Sequence, residues 1–341
     1  MTGSDPSHAD GGAAADPPGI DPPGIDTGRL APVLAQVVGA RPPLHATLLV
    51  GGSSNLTYLV VDADEREWVV RRPPLGHVLP TAHDMAREHR VQAALAPTPV
   101  PVAVMHALLD ESVLGARCYV MERLHGVVYA DERDVATFTA ADARAASDAL
   151  VDTLAALHAV DPDAVGLGDF GRPDGYLERQ VRRWGQQWER SRDRDVPEID
   201  ELIRRLGAAL PSSGPSAIVH GDYNFKNVMF SDPATVRAVL DWEMSTLGDP
   251  LADVGTLLAY WGGAARDVLW ADREHKGPSH GDHGFATDDE VVERYAASSG
   301  RDVGAVDWYL VFAVYKLAVI VEGIAARRRQ GLIVGLSLIH I

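Results

Sequence analysis

The chain has 341 residues, 46% hydrophobic and 23% charged, enough to bury the core of one large domain or of two lobes. A formal net charge of −17 argues against nucleic-acid binding, which needs a basic footprint to neutralise phosphates. The longest apolar run, residues 308–320, is broken by Tyr309, Tyr315 and Lys316 and reads as too short for a membrane span; the one cysteine, Cys118, permits no intrachain disulfide.

Residues 1–29 are acidic and rich in Pro, Gly and Ala, and carry a direct repeat, Asp16-Pro-Pro-Gly-Ile followed by Asp21-Pro-Pro-Gly-Ile. Paired prolines support neither helix nor sheet pairing, so the stretch reads as a disordered N-terminal arm and is unlike a signal peptide. With one cysteine, the expectation is a cytoplasmic protein.

Order is expected from residue 30. Residues 48–61 hold two β-rich runs around a Gly/Ser/Asn turn, and a third strand covers 68–71 before Pro73-Pro74 stops it. A helix over 83–95 follows, with Met85, Val91 and Leu95 apolar and Glu88 inside it. Prolines 97, 99 and 101 mark a loop, and strands fit 102–109 and 118–123. This is a small antiparallel sheet carrying one helix. Beyond Gly126 helices dominate: Thr139-Ala-Ala-Asp142 is a capping signal for a helix reaching His158, another covers 175–190 with Trp184 and Trp188 on one face, and a third covers 198–210. A β-rich insertion, 218–230 and 236–242, interrupts them. The expected class is α+β in two lobes, 30–124 with a hinge at its end and 125–335. The apolar end, including 336–341, reads as a truncation or a non-native tail.

The segment that carries chemistry is Val219-His220-Gly221-Asp222-Tyr-Asn224-Phe-Lys-Asn227, followed by Leu240-Asp241-Trp242-Glu243. Phosphoryl transfer needs one carboxylate to orient the attacking hydroxyl, and an amide oxygen with a second carboxylate to hold Mg²⁺ against the phosphates. A loop supplying Asp222 and Asn227, returned by a hairpin to Asp241, can converge three such groups. His220 reads as a structural group, and Asp249 and Asp253 as cap and brace for this loop.

The Asp-x4-Asn spacing resembles the catalytic loop of protein kinases. Gly221 and the Asp-Trp-Glu triplet resemble the aminoglycoside phosphotransferase family instead, as does Gly248-Asp249-Pro250-Leu-Ala-Asp253. The resemblance runs from about Leu48 to Arg329 and implies a two-lobed protein-kinase-like fold, ATP and Mg²⁺ as cofactors, Asp222 as catalytic base, and Asn227 and Asp241 as metal ligands. It further implies that Gly51, Gly52, Ser53, Ser54 and Asn55 cover the nucleotide phosphates, that Arg71 (Arg72 if the register slips) touches them with Glu88 as its ion-pair partner, and that Met121, Glu122 and Leu124 form the adenine-binding hinge. Asn224 falls near the place of the transferred phosphate. No long activation segment fits between Asp241 and Asp249.

Arg71-Arg72-Pro-Pro, the run from His83 to Glu88 and Trp242-Glu-Met-Ser-Thr-Leu-Gly-Asp-Pro resemble more narrowly the kinase-like domain fused to some acyl-CoA dehydrogenases. That likeness implies a hydroxylated small-molecule acceptor such as a hydroxyacyl-CoA, which Arg179, Arg182 and Arg183 could meet through an anionic group. The competing acceptor is an aminoglycoside or macrolide antibiotic, drawn to the eight acidic residues in 267–293, although these also fit a solvated loop. A nucleotide-binding pseudokinase or scaffold is the alternative from another class.

Overall fold

The computed structural model describes residues 21–50, 55–75, 84–130, 133–261 and 284–330. The chain forms two compact units, Met1–His89 with Val104–Arg123, and Arg90–Ala103 with Leu124–Ile341. Residues 90–103, expected in the first lobe, thus group with the second. The reason is their side chains: Val91, Leu95 and Val100 are buried in the core that also contains Leu150 and Leu154.

In the first unit, five strands form one antiparallel sheet: β1 His45–Val50, β2 Leu56–Val61, β3 Glu67–Arg72, β4 Met105–Leu109 and β5 Cys118–Glu122, in the order β1-β2-β3-β5-β4. β4 is shorter than the expected 102–109, because Pro101 precedes it and Val104 instead uses its backbone N–H on the Glu122 carboxylate. Alternate residues Tyr58 and Val60 on β2 and Val70 on β3 are fully buried, which is the period of a strand with one face on a core.

That core is closed by a helix that the sequence patterns did not announce, α1 (Thr27–Val38). Asp26 caps it by accepting the Arg29 N–H, Gly39 ends it in the left-handed region, and Leu30 and Leu34, one turn apart, are fully buried. The disordered-arm reading therefore fails for residues 21–29. The second Asp-Pro-Pro-Gly-Ile copy is a bonded turn: the Asp21 carboxylate accepts the Thr27 N–H at 2.7 Å, the Pro23 carbonyl accepts the Tyr58 hydroxyl at 2.6 Å, the Gly24 carbonyl accepts Arg72, and Ile25 enters the core. The first copy lies outside the described residues, as do 331–341.

The helix α2 (Met85–Leu95) begins in the first unit, and the four-residue α3 (Glu111–Leu114) lies between β4 and β5. The second unit contains α4 (Ala140–Ala159), α5 (Tyr176–Ser191), α6 (Pro197–Ala208), α7 (Leu251–Trp261), α8 (Asp288–Ser299) and α9 (Val306–Arg329). Thr139 and Asp142 form the expected capping box on α4. Two small sheets are set among these helices: β7 (Ala217–Val219) pairs with β10 (Thr246–Gly248), and β6 (Val127–Val128), β8 (Val228–Asp232) and β9 (Thr235–Val239) form the other. The 24-residue α9 is long and apolar enough by length and composition to cross a membrane, contrary to the reading from the apolar run. Half of its most apolar 18-residue window is buried; Tyr309 and Phe312 lie in hydrophobic cores, and Lys316 points inward.

Truncating Leu34 to alanine removes a fully buried side chain from the first unit's core, with an expected cost of about 2–5 kcal/mol. Chemical denaturation of Leu34→Ala checks this; an unchanged midpoint would return α1 to the status of a dispensable arm.

Candidate active site

β7 is three residues long, all buried, and delivers the chain into His220-Gly221-Asp222. Gly221 has φ 86, and a Cβ on it would sit 2.7 Å from the Met244 carbonyl oxygen, so the turn admits only glycine without rearrangement. The turn is then held by one buried carboxylate. Asp253, on α7, accepts the N–H of His220 at 2.6 Å and that of Gly221 at 2.8 Å. His220 ties the loop to the returning hairpin: its Nε2–H donates to the Leu240 carbonyl at 2.8 Å, while its Nδ1 accepts the Asp222 N–H at 3.2 Å. Asp249 does what a cap does, accepting the Leu251 N–H at the start of α7 and the Tyr309 hydroxyl.

After Asp222 the chain makes one 3-10 turn, Phe225–Asn227. Asn224 caps it by accepting the Lys226 N–H, and its Nδ2 donates to the Asp222 carbonyl. It is 2% exposed, so its place here is that of a cap within the loop. Asn227 donates from Nδ2 to the Asp222 backbone carbonyl at 2.8 Å and to Asp222 Oδ2 at 2.9 Å. The hairpin β8–β9 then pairs Val228 with Val239, and the Leu240 N–H bonds back to the Asn227 carbonyl at 2.8 Å. This places Asp241 beside the loop. It is one of two described non-glycine residues with positive φ, at φ 60 and ψ 65, an uncommon conformation for a side-chain-bearing residue. A single turn, Trp242–Met244, and β10 fill the interval to Asp249, leaving no room for an activation segment.

Burial raises the Asp222 pKa, the charge of Lys316 pulls it back, and the nearby Asp241 carboxylate raises it again. The Lys316 Nζ donates to the Gly221 carbonyl at 2.5 Å. The Tyr260 hydroxyl is buried near the same carboxylate, and its pKa is raised, by burial first and then by the charge and proximity of Asp222. Neither Lys316 nor Tyr260 was expected at the site from sequence. The signal for Lys316 was a lone cation within an apolar helix.

The donor set suits a hard cation such as Mg²⁺, which takes one or two protein oxygens and completes its shell from phosphates and water. Because Asp222 occupies the Asn227 amide nitrogen, the amide oxygen is the atom left to a metal, with the Asp241 carboxylate beside it. No larger cluster of His, Cys, Asp or Glu occurs among the described residues.

In the first unit, Arg71 Nε lies 3.2 Å from Glu88 Oε2, and both side chains are largely buried. Glu88 also accepts Asn55 Nδ2 at 2.9 Å and the Tyr119 hydroxyl at 3.0 Å. Arg72 instead bonds to the backbone carbonyls of Gly24, Pro73 and Leu114. Of the two arginines, Arg71 is the one paired with Glu88. Gly51, Gly52, Ser53 and Ser54 lie outside the described residues. Met121 and Glu122 close β5, and Leu124 is a buried residue of the second unit. On α5, Arg179 is tied to the carbonyls of Arg172 and Asp174, leaving Arg182 and Arg183 exposed. Most of the acidic stretch 267–293 lies outside the described residues.

The chain is similar to known proteins along most of its length. The family model "Phosphotransferase enzyme family" matches residues 45–301. Acyl-CoA dehydrogenase family member 10 of Mus musculus is 34% identical over 293 residues, covering 85% of this chain and 27% of that protein. Acyl-CoA dehydrogenase family member 11 of Rattus norvegicus is 32% identical over 304 residues, covering 85% and 37%. The chain thus spans about a quarter to two-fifths of the length of these relatives. A solved structure from Ralstonia eutropha, provisionally assigned as an aminoglycoside phosphotransferase, is 35% identical with a TM-score of 0.76 and 90% of each chain covered.

The brace beneath the loop holds two buried titratable groups. His158 is fully buried, its Nδ1 accepting the Tyr295 hydroxyl at 2.7 Å and its Nε2–H donating to Asp253 at 3.2 Å. Burial holds its pKa below the ordinary 6.5 against the opposing pull of Asp253, so the folded chain keeps it neutral while the unfolded chain binds a proton. For Asp253, burial alone would raise the pKa, but His158 and the His220 N–H hold it below 3.8. Both shifts remove stability on acidification, His158 from about pH 6.5 downward and Asp253 below about 3.8. The urea midpoint is expected to fall between pH 7 and 5, and His158→Gln to flatten that fall. A wild-type midpoint that is level over this range contradicts the account.

Proposed function

The chain belongs to the phosphotransferase enzyme family, and on that premise we propose that it moves the γ-phosphate of ATP, in the presence of Mg²⁺, to a hydroxyl of a small-molecule acceptor. The observation that carries this reading is the hydrogen-bonded pair Asp222–Asn227 with Asp241 brought alongside by the β8–β9 hairpin. Asp222 accepts the hydrogen of the attacking hydroxyl and aims its lone pair. Its raised pKa strengthens it as an acceptor, and the Lys316 charge keeps it ionisable. Asn227 fixes the carboxylate's orientation through its amide nitrogen. Its amide oxygen and Asp241 would hold Mg²⁺, which when bound neutralises charge on the phosphate oxygens. Arg71, oriented by Glu88, is the first unit's cation for the α- and β-phosphates, and Met121, Glu122 and Leu124 would supply backbone contacts to adenine. A cytoplasmic setting belongs to the same reading.

For the acceptor we favour a hydroxyacyl-CoA or related hydroxylated metabolite. The support is the likeness to two acyl-CoA dehydrogenase family members, together with the exposed Arg182 and Arg183 as a match for an anionic group. The Ralstonia eutropha structure keeps an antibiotic acceptor as the second reading. A pseudokinase is disfavoured because Asp222, Asn227 and Asp241 are all present.

The test is nucleotide turnover with Mg·ATP against hydroxyacyl-CoAs, aminoglycosides, macrolides, choline and sugars. One acceptor class is expected to stimulate turnover, and Asp222→Ala to lower it by about 100-fold or more. Wild-type turnover in Asp222→Ala would sink the enzyme reading. Stimulation by antibiotics alone would replace the acyl acceptor.

A further inference from the structure

Lys316 lies in the middle of α9, is 7% exposed, and has no part in the chemistry described above beyond its charge. Burying an ammonium group is costly unless it is paired or hydrogen-bonded. The Nζ is directed at one backbone atom, the Gly221 carbonyl oxygen, at 2.5 Å, and lies 5.9 Å from the centre of the Trp184 ring. On the other side of the same residue, the Gly221 N–H donates to Asp253 at 2.8 Å. One glycine is therefore gripped at its N–H by an anion from α7 and at its carbonyl by a cation from α9.

The Gly221 carbonyl belongs to the peptide bond that leads into Asp222, so its direction sets where the Asp222 side chain leaves the backbone. At φ 86, and with no side chain of its own, glycine has more rotational freedom than any other residue would have here. Asp253 fixes the peptide before Gly221; the one after it is held at its N–H end by a long 3.2 Å bond to His220 Nδ1, and its carbonyl end needs a contact of its own. Lys316 supplies that contact from α9. The exposed guanidinium of Arg183 lies 5.8 Å over the same Trp184 ring.

We propose that Lys316 is a positioning residue for phosphoryl transfer: it clamps the Gly221 carbonyl from α9, opposite Asp253, and so fixes the orientation of the catalytic carboxylate. The role rests on the phosphotransferase reading for its kinetic consequence, but not for the clamp itself. Displacement of a reacting group by about 1 Å costs on the order of 100-fold in rate, while nucleotide binding, which does not depend on this peptide, is spared.

The experiment compares wild type with Lys316→Met, Lys316→Gln and Lys316→Arg in two measurements. The first is hydrogen–deuterium exchange of peptides covering residues 217–227. The second is Mg·ATP turnover, with water as acceptor when no better one is known. Lys316→Met is expected to speed exchange in this segment about tenfold and lower kcat by about 100-fold, with KM for ATP within about twofold. Lys316→Arg, which retains a donor and a charge, is expected to recover most of both. Should Lys316→Met fail to fold, Lys316→Gln carries the comparison, with intermediate losses expected. Wild-type exchange and wild-type kcat in folded Lys316→Met or Lys316→Gln would overturn the proposal, as would a rise in KM with kcat unchanged. A wild type that never turns over ATP defeats the phosphotransferase reading, and the exchange data then decide the clamp alone.

Discussion

Two successive backbone N–H groups, those of His220 and Gly221, end on the carboxylate of Asp253, and the candidate site depends on that convergence. An ionised carboxylate buried to this degree is tolerable only with several donors, and here it has three, the third from His158. The requirement works in both directions. Asp253 needs the loop to satisfy its charge, and the loop needs Asp253 to hold the two N–H groups that enter the glycine turn. Asp222 is aimed by this arrangement, and Asn227 and Asp241 are brought to it by a short hairpin whose ends are sewn together by His220 and Leu240.

The first unit repeats the same physics on a smaller scale. Glu88 is 1% exposed, accepts from Asn55 and Tyr119 and is ion-paired with Arg71, each from a different part of the sheet region. A buried carboxylate with that many partners fixes the guanidinium of Arg71 more firmly than a surface pair could. The neighbouring Arg72 is bound to backbone carbonyls instead, and so helps to hold the second Asp-Pro-Pro-Gly-Ile turn onto the sheet.

How much of this was legible in sequence depends on how local the signal was. Gly221, Asp222, Asn227 and Asp241 lie within one short stretch, and their spacing alone suggested a common site. The strands β2 and β3 were marked by β-branched runs and by breakers such as Pro73-Pro74. The helix α1 has a weak local signal, because the prolines before it and Pro32 within it outweigh Asp26, Gly39 and the Leu30–Leu34 spacing. Lys316 was seen only as an interruption of an apolar run, since the carbonyl that it serves lies 95 residues away. Tyr119, the third partner of Glu88, is 31 residues from it along the chain, and no local pattern announces such a contact. The residues missed are those whose meaning is set by long-range packing.

The most direct measurement is a crystal structure of the chain with Mg²⁺ and a non-hydrolysable ATP analogue. The account predicts a magnesium ion ligated by the Asn227 amide oxygen and the Asp241 carboxylate, with Asp222 hydrogen-bonded to Asn227 and not coordinating the metal. Magnesium held by other residues, or nucleotide phosphates bound away from Asn227 and Asp241, would contradict it.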